Sequence, residues 1–258
     1  VDEMCQRGRA LNDDEWVRTR DIVDYVCDVW DEPDAGIWEV RGGNEHFVYS
    51  KVMCWVALDR GIELARARDR DAPLAGWLET REQIRADVLE NGYDEEIGAF
   101  VQSYGTNVLD ATALLLPVVG FLPFDDERVQ GTIDAIDERL VTDDIFVARY
   151  HGDDGLPGNE GAFVLCSCWF VNALALSGRV EDARSRFESL LEYLNPLGLV
   201  AEEIDPETGA QLGNYPQAFS HIGIVNSALY LGYVHGHELP GPDPMGIRLG
   251  DPAVVPDE

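Results

Sequence analysis

The sequence predicts an all-α protein built as a ring of antiparallel helical hairpins. Three observations predict it. Apolar residues recur at helical spacing in eight segments. The links between those segments alternate strictly between long and short. The second and sixth segments are apolar over most of their girth, as helices lining the inside of a ring would be.

The first helix is expected over about Asp13 to Trp30, with Trp16, Val17, Ile22, Val23, Val26 and Trp30 as its apolar positions. The second runs from about Glu45 to Ala67. The third runs from about Leu74 to Asn91, where Asn91-Gly92 is a stop signal. A fourth covers about Asn107 to Val119, ended by Gly120 and Pro123, and a fifth about Asp126 to Leu140. The sixth covers about Glu160 to Leu176, ended by Ser177-Gly178. The seventh spans Val180 to Leu194 and closes at Asn195-Pro196; the eighth spans about Gln217 to His235. No strand ladder competes with these, although "IFVARY" reads as extended. Residues 1–237 are therefore expected to form one helical domain, and 238–258, rich in Pro, Gly and Asp, an irregular tail.

The short links are "RARDRDAP", "GFLPFD" and "SGR". The long ones hold "DEPDAGIWEVRGG", "GYDEEIGAFVQSYGT", "VTDDIFVARYHGDDGLPGN" and "NPLGLVAEEIDPETGAQLGNYP". Alternate connections of antiparallel helices lie at opposite ends, so the four long loops should share one rim. Long loops rich in aromatics and glycines point to function. The hairpins lack sequence identity to one another, which suits a toroid better than a regular solenoid.

Composition excludes several classes. With 258 residues and 45% hydrophobic content, the chain can bury a sizeable core. Its formal net charge is −30, from 49 acidic against 19 basic residues, and Lys51 is the only lysine. That balance excludes nucleic acid as a partner, since phosphate contacts need clustered Lys and Arg. It suits a halophilic, high-salt cytoplasm, where salt screens self-repulsion. The five cysteines, Cys5, Cys27, Cys54, Cys166 and Cys168, have no metal-site spacing and read as unpaired thiols in a reducing compartment. No apolar run is long enough to span a membrane. No metal or other cofactor is expected; "GDDG" at Gly152 to Gly155 is only a faint calcium-loop fragment, and His46 and His221 read as structural.

Two loops carry carboxylates in unusual settings. In "GIWEVRGG", Glu39 follows Trp38 and precedes Arg41 by two residues. A carboxyl packed on an indole is partly desolvated and holds its proton more tightly, which is what a general acid needs. In "LVAEEIDPETGAQLGNYPQAF", the adjacent pair Glu202 and Glu203 offers a carboxylate that could activate a water. In a ring of six hairpins the two loops would sit three places apart and face each other across the bore. Opposed carboxyls about 6.5–9.5 Å apart are the apparatus of inverting glycoside hydrolysis. Trp38, Tyr104, Tyr150 and Tyr215, one in each of the four long loops, offer stacking faces for sugar rings, and Arg149 offers a fork of donors to a sugar hydroxyl or to a carboxylate.

Four segments together resemble glycoside hydrolase family 15, the glucoamylase, glucodextranase and trehalase group. They are "GIWEVRGGNEHFVYSKVMCWVALDR", "SYGTNVLDATALLLPVVGF", "ARYHGDDGLPGNEGAFVLCSCWFVNALALSGR" and "AEEIDPETGAQLGNYPQAFSHIGIVNSALYLG", in family order. The resemblance implies an (α/α)6 barrel and inverting attack on an α-glucoside. It implies that Glu39, after the Trp of "IWE", is the general acid. Glu202, opening the element through Asp205, Gly209 and Leu212, would be the general base. Arg149 and Tyr150 match the family's "RY" element, whose Arg binds the non-reducing glucose; Trp38 would line the same subsite, with Glu203 beside it, and Glu160 falls in an element of less defined role. The implied substrates are α-glucan oligosaccharides, maltose or trehalose. The resemblance begins where the family's third hairpin would, so the chain is expected to supply helices five to twelve, in four hairpins. An N-terminal segment or a companion chain would then supply the rest, including an Arg-Asp pair that binds the terminal glucose. Three readings follow: glucoamylase-like hydrolysis from non-reducing ends, trehalase action, or a carbohydrate-binding remnant without turnover.

Overall fold

The structure, a computed structural model, describes residues 5, 8–40, 42–151 and 161–237. It comprises two compact units. The first runs as far as Tyr93 and includes Ser103–Thr106; the second takes Asp94–Gln102 and continues from Asn107.

Among the described residues the first unit is built on three long helices. Helix α1 (Asp13–Val29) starts in a capping box: Asn12 accepts from the Glu15 backbone at 2.9 Å, and the Glu15 carboxylate accepts from the Asn12 backbone at 3.3 Å. Asp13, Asp14 and Glu15 suit the positive end of its dipole. It buries Trp16 and Val23, seven residues apart and so on one face. Helix α2 (Val48–Ala67) approaches that face closely at Gly61, where a Cβ would lie 2.8 Å from Val23. Helix α3 (Leu74–Asn91) completes the packing through Trp77, Ile84 and Val88. The Trp77 indole donates to Asp24 at 2.7 Å, and its ring lies 6.3 Å from that of Trp16.

In the second unit, Asp110 caps a short 3-10 turn, Ala111–Leu114, which runs into the single helical turn α4 (Leu115–Val118). Helix α5 (Glu127–Leu140) turns Val129, Thr132, Ile133, Ile136 and Leu140 inward, the stripe expected of a half-buried helix. Helix α6 (Val164–Leu176) is buried at every position but Leu165 and is the centre of this unit. It packs against α7 (Val180–Leu191) and α8 (Ala218–Val234). Gly223 lets α8 close on α6, since a Cβ there would lie 3.0 Å from the Cys168 side chain. The Ser227 hydroxyl donates to Asn172 across the same contact at 2.8 Å.

Among the described residues the helices stand near where the periodicity places them, with four differences. The second begins at Val48 rather than near Glu45, the fourth shrinks to the 3-10 turn and α4, the sixth begins at Val164 rather than near Glu160, and the seventh ends at Leu191 rather than Leu194. At the second and sixth helices loop backbone is taken up in pairing, by Glu45 with Asp34, by Phe47 with Ser103, and by Ala162 and Phe163. Among the described residues the long loops carry seven two-residue strands, β1 (Tyr93–Asp94), β2 (Ala99–Phe100), β3 (Val141–Thr142), β4 (Phe146–Val147), β5 (Ala162–Phe163), β6 (Glu203–Ile204) and β7 (Gln211–Leu212). Strands β3 and β4 pair antiparallel around Asp143 and Asp144, both with positive φ. Strand β6 lies between β5 and β7, with Phe163 opposite Glu203 and Glu203 opposite Leu212. The extended reading of "IFVARY" is met by β4; the others are too short to show a two-residue period.

Within each unit the long loops share one end. In the first, Phe47 bridges Ser103 and the Tyr104 amide donates to the His46 carbonyl at 3.1 Å, while the short link at 68–73 meets the start of α1 through Arg70, which donates to Asp13 and to the Leu11 carbonyl. In the second, the loops before α6 and α8 meet in the β5–β6–β7 sheet. At its other end Arg179, from the short link 177–179, donates to Gln130 at 2.8 Å.

Candidate active site

Glu39 belongs to the first unit and Glu202 to the second. Glu39 ends a tight turn over residues 36–39, with its amide donating to the Gly36 carbonyl at 3.3 Å and the Val40 amide donating to Ala35 at 3.2 Å. Its φ is +51°, a left-handed conformation that few residues other than glycine adopt and that clusters at functional sites. The turn needs Gly36, whose φ is +69° and whose Cβ would meet the Phe47 ring at 3.0 Å. Trp38 is half-buried and Glu39 exposed, so the apolar packing of Glu39 expected from the adjacent indole is not what surrounds it. Arg41 lies outside the described residues.

The loop that carries this turn is tied down at several points. Asp34 and Glu45 exchange backbone hydrogen bonds at 2.9 Å. The Asp34 carboxylate accepts from the Gly36 amide at 2.5 Å and from the Ser50 hydroxyl at 2.9 Å. Ser103 donates to Glu45. Lys51, 1% exposed, donates to the carbonyls of Trp30 and Glu32, both at 2.6 Å. Tyr104 stacks on His46 at 5.8 Å and donates its hydroxyl to Asp87 at 2.8 Å. One face of its ring is therefore taken by His46. Burial, then Asp87, pushes its ionisation well above the ordinary phenol value.

Five predicted residues, Glu202, Glu203, Arg149, Tyr150 and Tyr215, lie in the second unit. The half-buried Glu202 carboxylate accepts three hydrogen bonds from amide groups: from Asn214 backbone and side chain at 3.1 and 2.9 Å on one oxygen, and from Gln217 at 3.2 Å on the other. Gly213, with φ +72°, lets the chain pass so closely that a Cβ would stand 2.8 Å from the same carboxylate. The segment is fixed from behind: the Ala201 amide donates to Gln211 at 2.5 Å, and Ser220 donates to the Ala201 carbonyl at 2.8 Å.

Glu202 stands at a bend, and the strand begins at Glu203, whose carboxylate has a different partner. Its carboxylate accepts from the Gly161 amide at 3.1 Å. Opposite Glu203 on β5 is Phe163, over whose ring the Arg149 guanidinium lies at 4.7 Å; the same cation lies 5.4 Å from the centroid of the Tyr150 ring. The Arg149 carbonyl and Tyr150 pair with the 110–111 segment, which fixes the "RY" element. Tyr215 is 49% exposed and takes a hydrogen bond from Asn195.

Sequence reasoning missed Asn214, Gln217 and Gly213. Their signal is "LGNYPQ": two amides around a Gly and a Pro in a loop beside a glutamate. Gly152 to Gly155 and Glu160 lie outside the described residues. The described residues hold no group of three or more His, Cys, Asp or Glu placed for a metal ion, and no helix among them is long and apolar enough to cross a membrane. All five cysteines are free, and burial pushes the Cys168 thiol up to about 12.

The family model of glycosyl hydrolases family 15 matches residues 2–229. A trehalase of Mycobacterium tuberculosis is 46% identical over 219 residues, 84% of this chain and 32% of that protein. A trehalase of Thermoplasma volcanium is 40% identical over 228 residues, 88% of this chain and 37% of that protein. Among solved structures, a glycosidase in complex with glucose superposes with a TM-score of 0.72 at 24% identity, covering 86% of this chain and 62% of that one. A bacterial glucoamylase complexed with acarbose gives 0.70 at 13% identity, covering 88% and 39%. The chain shares the all-α fold class of these structures over the part that they have in common. The chain spans about a third of the length of the curated relatives it matches.

Proposed function

We propose, from the premise that this chain belongs to glycosyl hydrolase family 15, that it carries the acid and base of a trehalose-cleaving, inverting glycosidase. Glu202 takes a proton from a water as that water attacks the anomeric carbon. The bond from that carbon to the bridging oxygen breaks, and Glu39 gives its proton to the leaving oxygen. Trp38 and Tyr150 offer faces to the sugar, Arg149 donates to its hydroxyls, and Glu203 holds the β5–β6 edge beside Glu202 and borders the same subsite. One catalytic domain over 1–237, with 238–258 outside it, accommodates this reading.

The single observation that carries it is the hydrogen-bonded seat of Glu202. Three amide donors hold the carboxylate at a fixed angle, and a base that must aim one water needs that restraint. Trehalase is preferred to a glucoamylase-type specificity because trehalases are 40% and 46% identical over most of the chain, whereas the glucoamylase likeness is one of fold. Since the chain spans a third of those relatives, we assign the rest of the sugar-binding wall to a preceding segment or a companion chain. Five free thiols suit a reducing, cytoplasmic setting.

Glucose release from trehalose, maltose and maltotriose tests the reading. Turnover of trehalose well above the other two supports it. Preference for the maltooligosaccharides restores the glucoamylase reading, and sugar binding without turnover, unchanged by Glu202→Gln, makes the chain a binding module.

A further inference from the structure

The sequence uses arginine for every basic residue except Lys51, and that one lysine is buried. It stands in the first turn of α2, and its ammonium reaches back to two carbonyls at the end of α1, those of Trp30 and Glu32, each at 2.6 Å. Trp30 is the C-cap of α1, whose last carbonyls lack partners within the helix and carry the negative end of its dipole. Glu32 is the second residue of the loop that holds Trp38 and Glu39.

An ammonium is a compact point donor that can serve two converging carbonyls from one nitrogen. A guanidinium is planar and larger, and its donors diverge, so it would have to displace one carbonyl or the other. Asp31, Asp34 and Asp87 supply negative charge around the site, and the Cys54 thiol stands near it. The next residue back on α2, Ser50, holds Asp34, which in turn holds the Gly36 amide at the start of the turn.

We propose that Lys51 is a positioning residue for the acid-bearing turn: by pinning the Trp30 and Glu32 carbonyls to the first turn of α2, it sets the place at which Trp38 and Glu39 stand. This rests on the reading of Glu39 as the acid. It goes beyond that reading in naming what fixes the acid, and in explaining why a chain that otherwise avoids lysine keeps one here.

Two variants test it, Lys51→Met and Lys51→Arg, with amide hydrogen exchange and trehalose kinetics as readouts on the full chain. Lys51→Met should speed exchange of the Gly36, Glu39 and Val40 amides about tenfold or more, while α6 in the other unit keeps its protection. It should lower kcat by roughly 10²-fold with KM little changed, because a displaced acid spoils the transition state more than sugar binding. Lys51→Arg should restore neither. Full rescue by Arg overturns the proposal, since charge alone would then suffice. Unchanged exchange at residues 36–40 overturns it as well, and so does loss of α6 protection in both variants, which would make the role one of general stability. The exchange arm does not depend on turnover. If exchange changes as expected while Glu39→Gln leaves activity intact, the assignment of the acid fails and the pinning role of Lys51 stands.

Discussion

The two glutamates proposed to carry the chemistry are held in opposite ways. Glu39 is exposed, and no described residue donates to its carboxylate; its position is set entirely by backbone, through a left-handed φ and a turn stapled to the start of α2. Glu202 is half-buried at a bend just before β6, and its position is set by its side chain, through three amide donors. The difference teaches what each role demands. A base must aim one water at one carbon, which calls for a carboxylate fixed in angle. An acid must meet a leaving group that arrives with the substrate, which calls for an open carboxyl on a firm stem.

The largest effect should come from removing either carboxyl. Glu39→Gln and Glu202→Gln should each lower kcat on trehalose by about 10²–10⁴-fold, the usual worth of one acid or base. A substrate whose leaving group needs no proton separates them. With α-glucosyl fluoride, Glu39→Gln should recover most of its rate and Glu202→Gln none. The products sharpen the same point. Inversion of trehalose gives one β-glucose from the attacked ring and one α-glucose from the leaving ring, so early proton NMR spectra should show the two anomers in equal amounts. Release of α-glucose alone would mean retention and would remove Glu202 from the role of base.

Next come the glycines beneath each glutamate. Gly213→Ala combines a positive φ with a Cβ 2.8 Å from the Glu202 carboxylate, so it should cost about 1–3 kcal/mol of stability and disturb the base directly. Gly36→Ala meets the Phe47 ring at 3.0 Å with φ +69° and should destabilise the first unit by a similar amount. Gly42→Ala, with nothing within 4 Å of its Cβ and no positive φ, is the control in the same loop. Thermal unfolding and kcat together separate the cases. If Gly213→Ala leaves kcat at the control's level, the seat of Glu202 matters less than the comparison claims.

Smaller again are the amides. Asn214→Ala and Gln217→Ala each remove donors to Glu202 and should each lower kcat by several-fold, about 1 kcal/mol; Asn214→Ala should change the melting temperature little, whereas Gln217→Ala also removes the N-cap of α8 and should lower it. With Asn214→Ala, an equal fall in melting temperature and activity would point to a structural role.

The helices and the two carboxylate loops were legible because each leaves a sequence signal. Helical periodicity runs over several turns, and Trp38-Glu39 or Glu202-Glu203 in Gly-rich loops are unusual combinations. The inner position of α6 was equally visible, being apolar on every side. What was not legible lacks a local signature. Two-residue strands such as β5 and β6 cannot show an alternation, so the frame that places Phe163 against Glu203 is invisible in the letters. The turn that holds Glu39 at its positive φ is tied through Asp34 to Ser50, a hydroxyl on the following helix that the loop's own letters do not announce. Glu39 is exposed in that turn, where the neighbouring indole suggested the reverse. Lys51 was conspicuous as a lone lysine, yet only the two carbonyls at 2.6 Å give the count a meaning.

The smallest effect concerns the floor under the first of these loops. Tyr104 donates to Asp87 and stacks on His46, and burial followed by Asp87 raises its ionisation above the ordinary phenol value near 10. A group that binds its proton more tightly when folded adds stability below its unfolded pKa, and that stability is lost as pH rises through the folded one. The first unit should therefore weaken above about pH 10, as Tyr104 comes to favour the unfolded chain. Tyr104→Phe should cost about 1 kcal/mol near neutral pH through the lost hydrogen bond, and should flatten the alkaline decline. Urea unfolding at pH 7 and at about pH 10.5 measures both. The second unit gives the contrast: there the buried Cys168 thiol, raised to about 12, is the group whose titration erodes stability in the alkaline range, so Tyr104→Phe should leave its pH dependence unchanged. An equal change in both units would mean that they unfold as one body, and the two glutamates would then share a single scaffold in spite of their different seats.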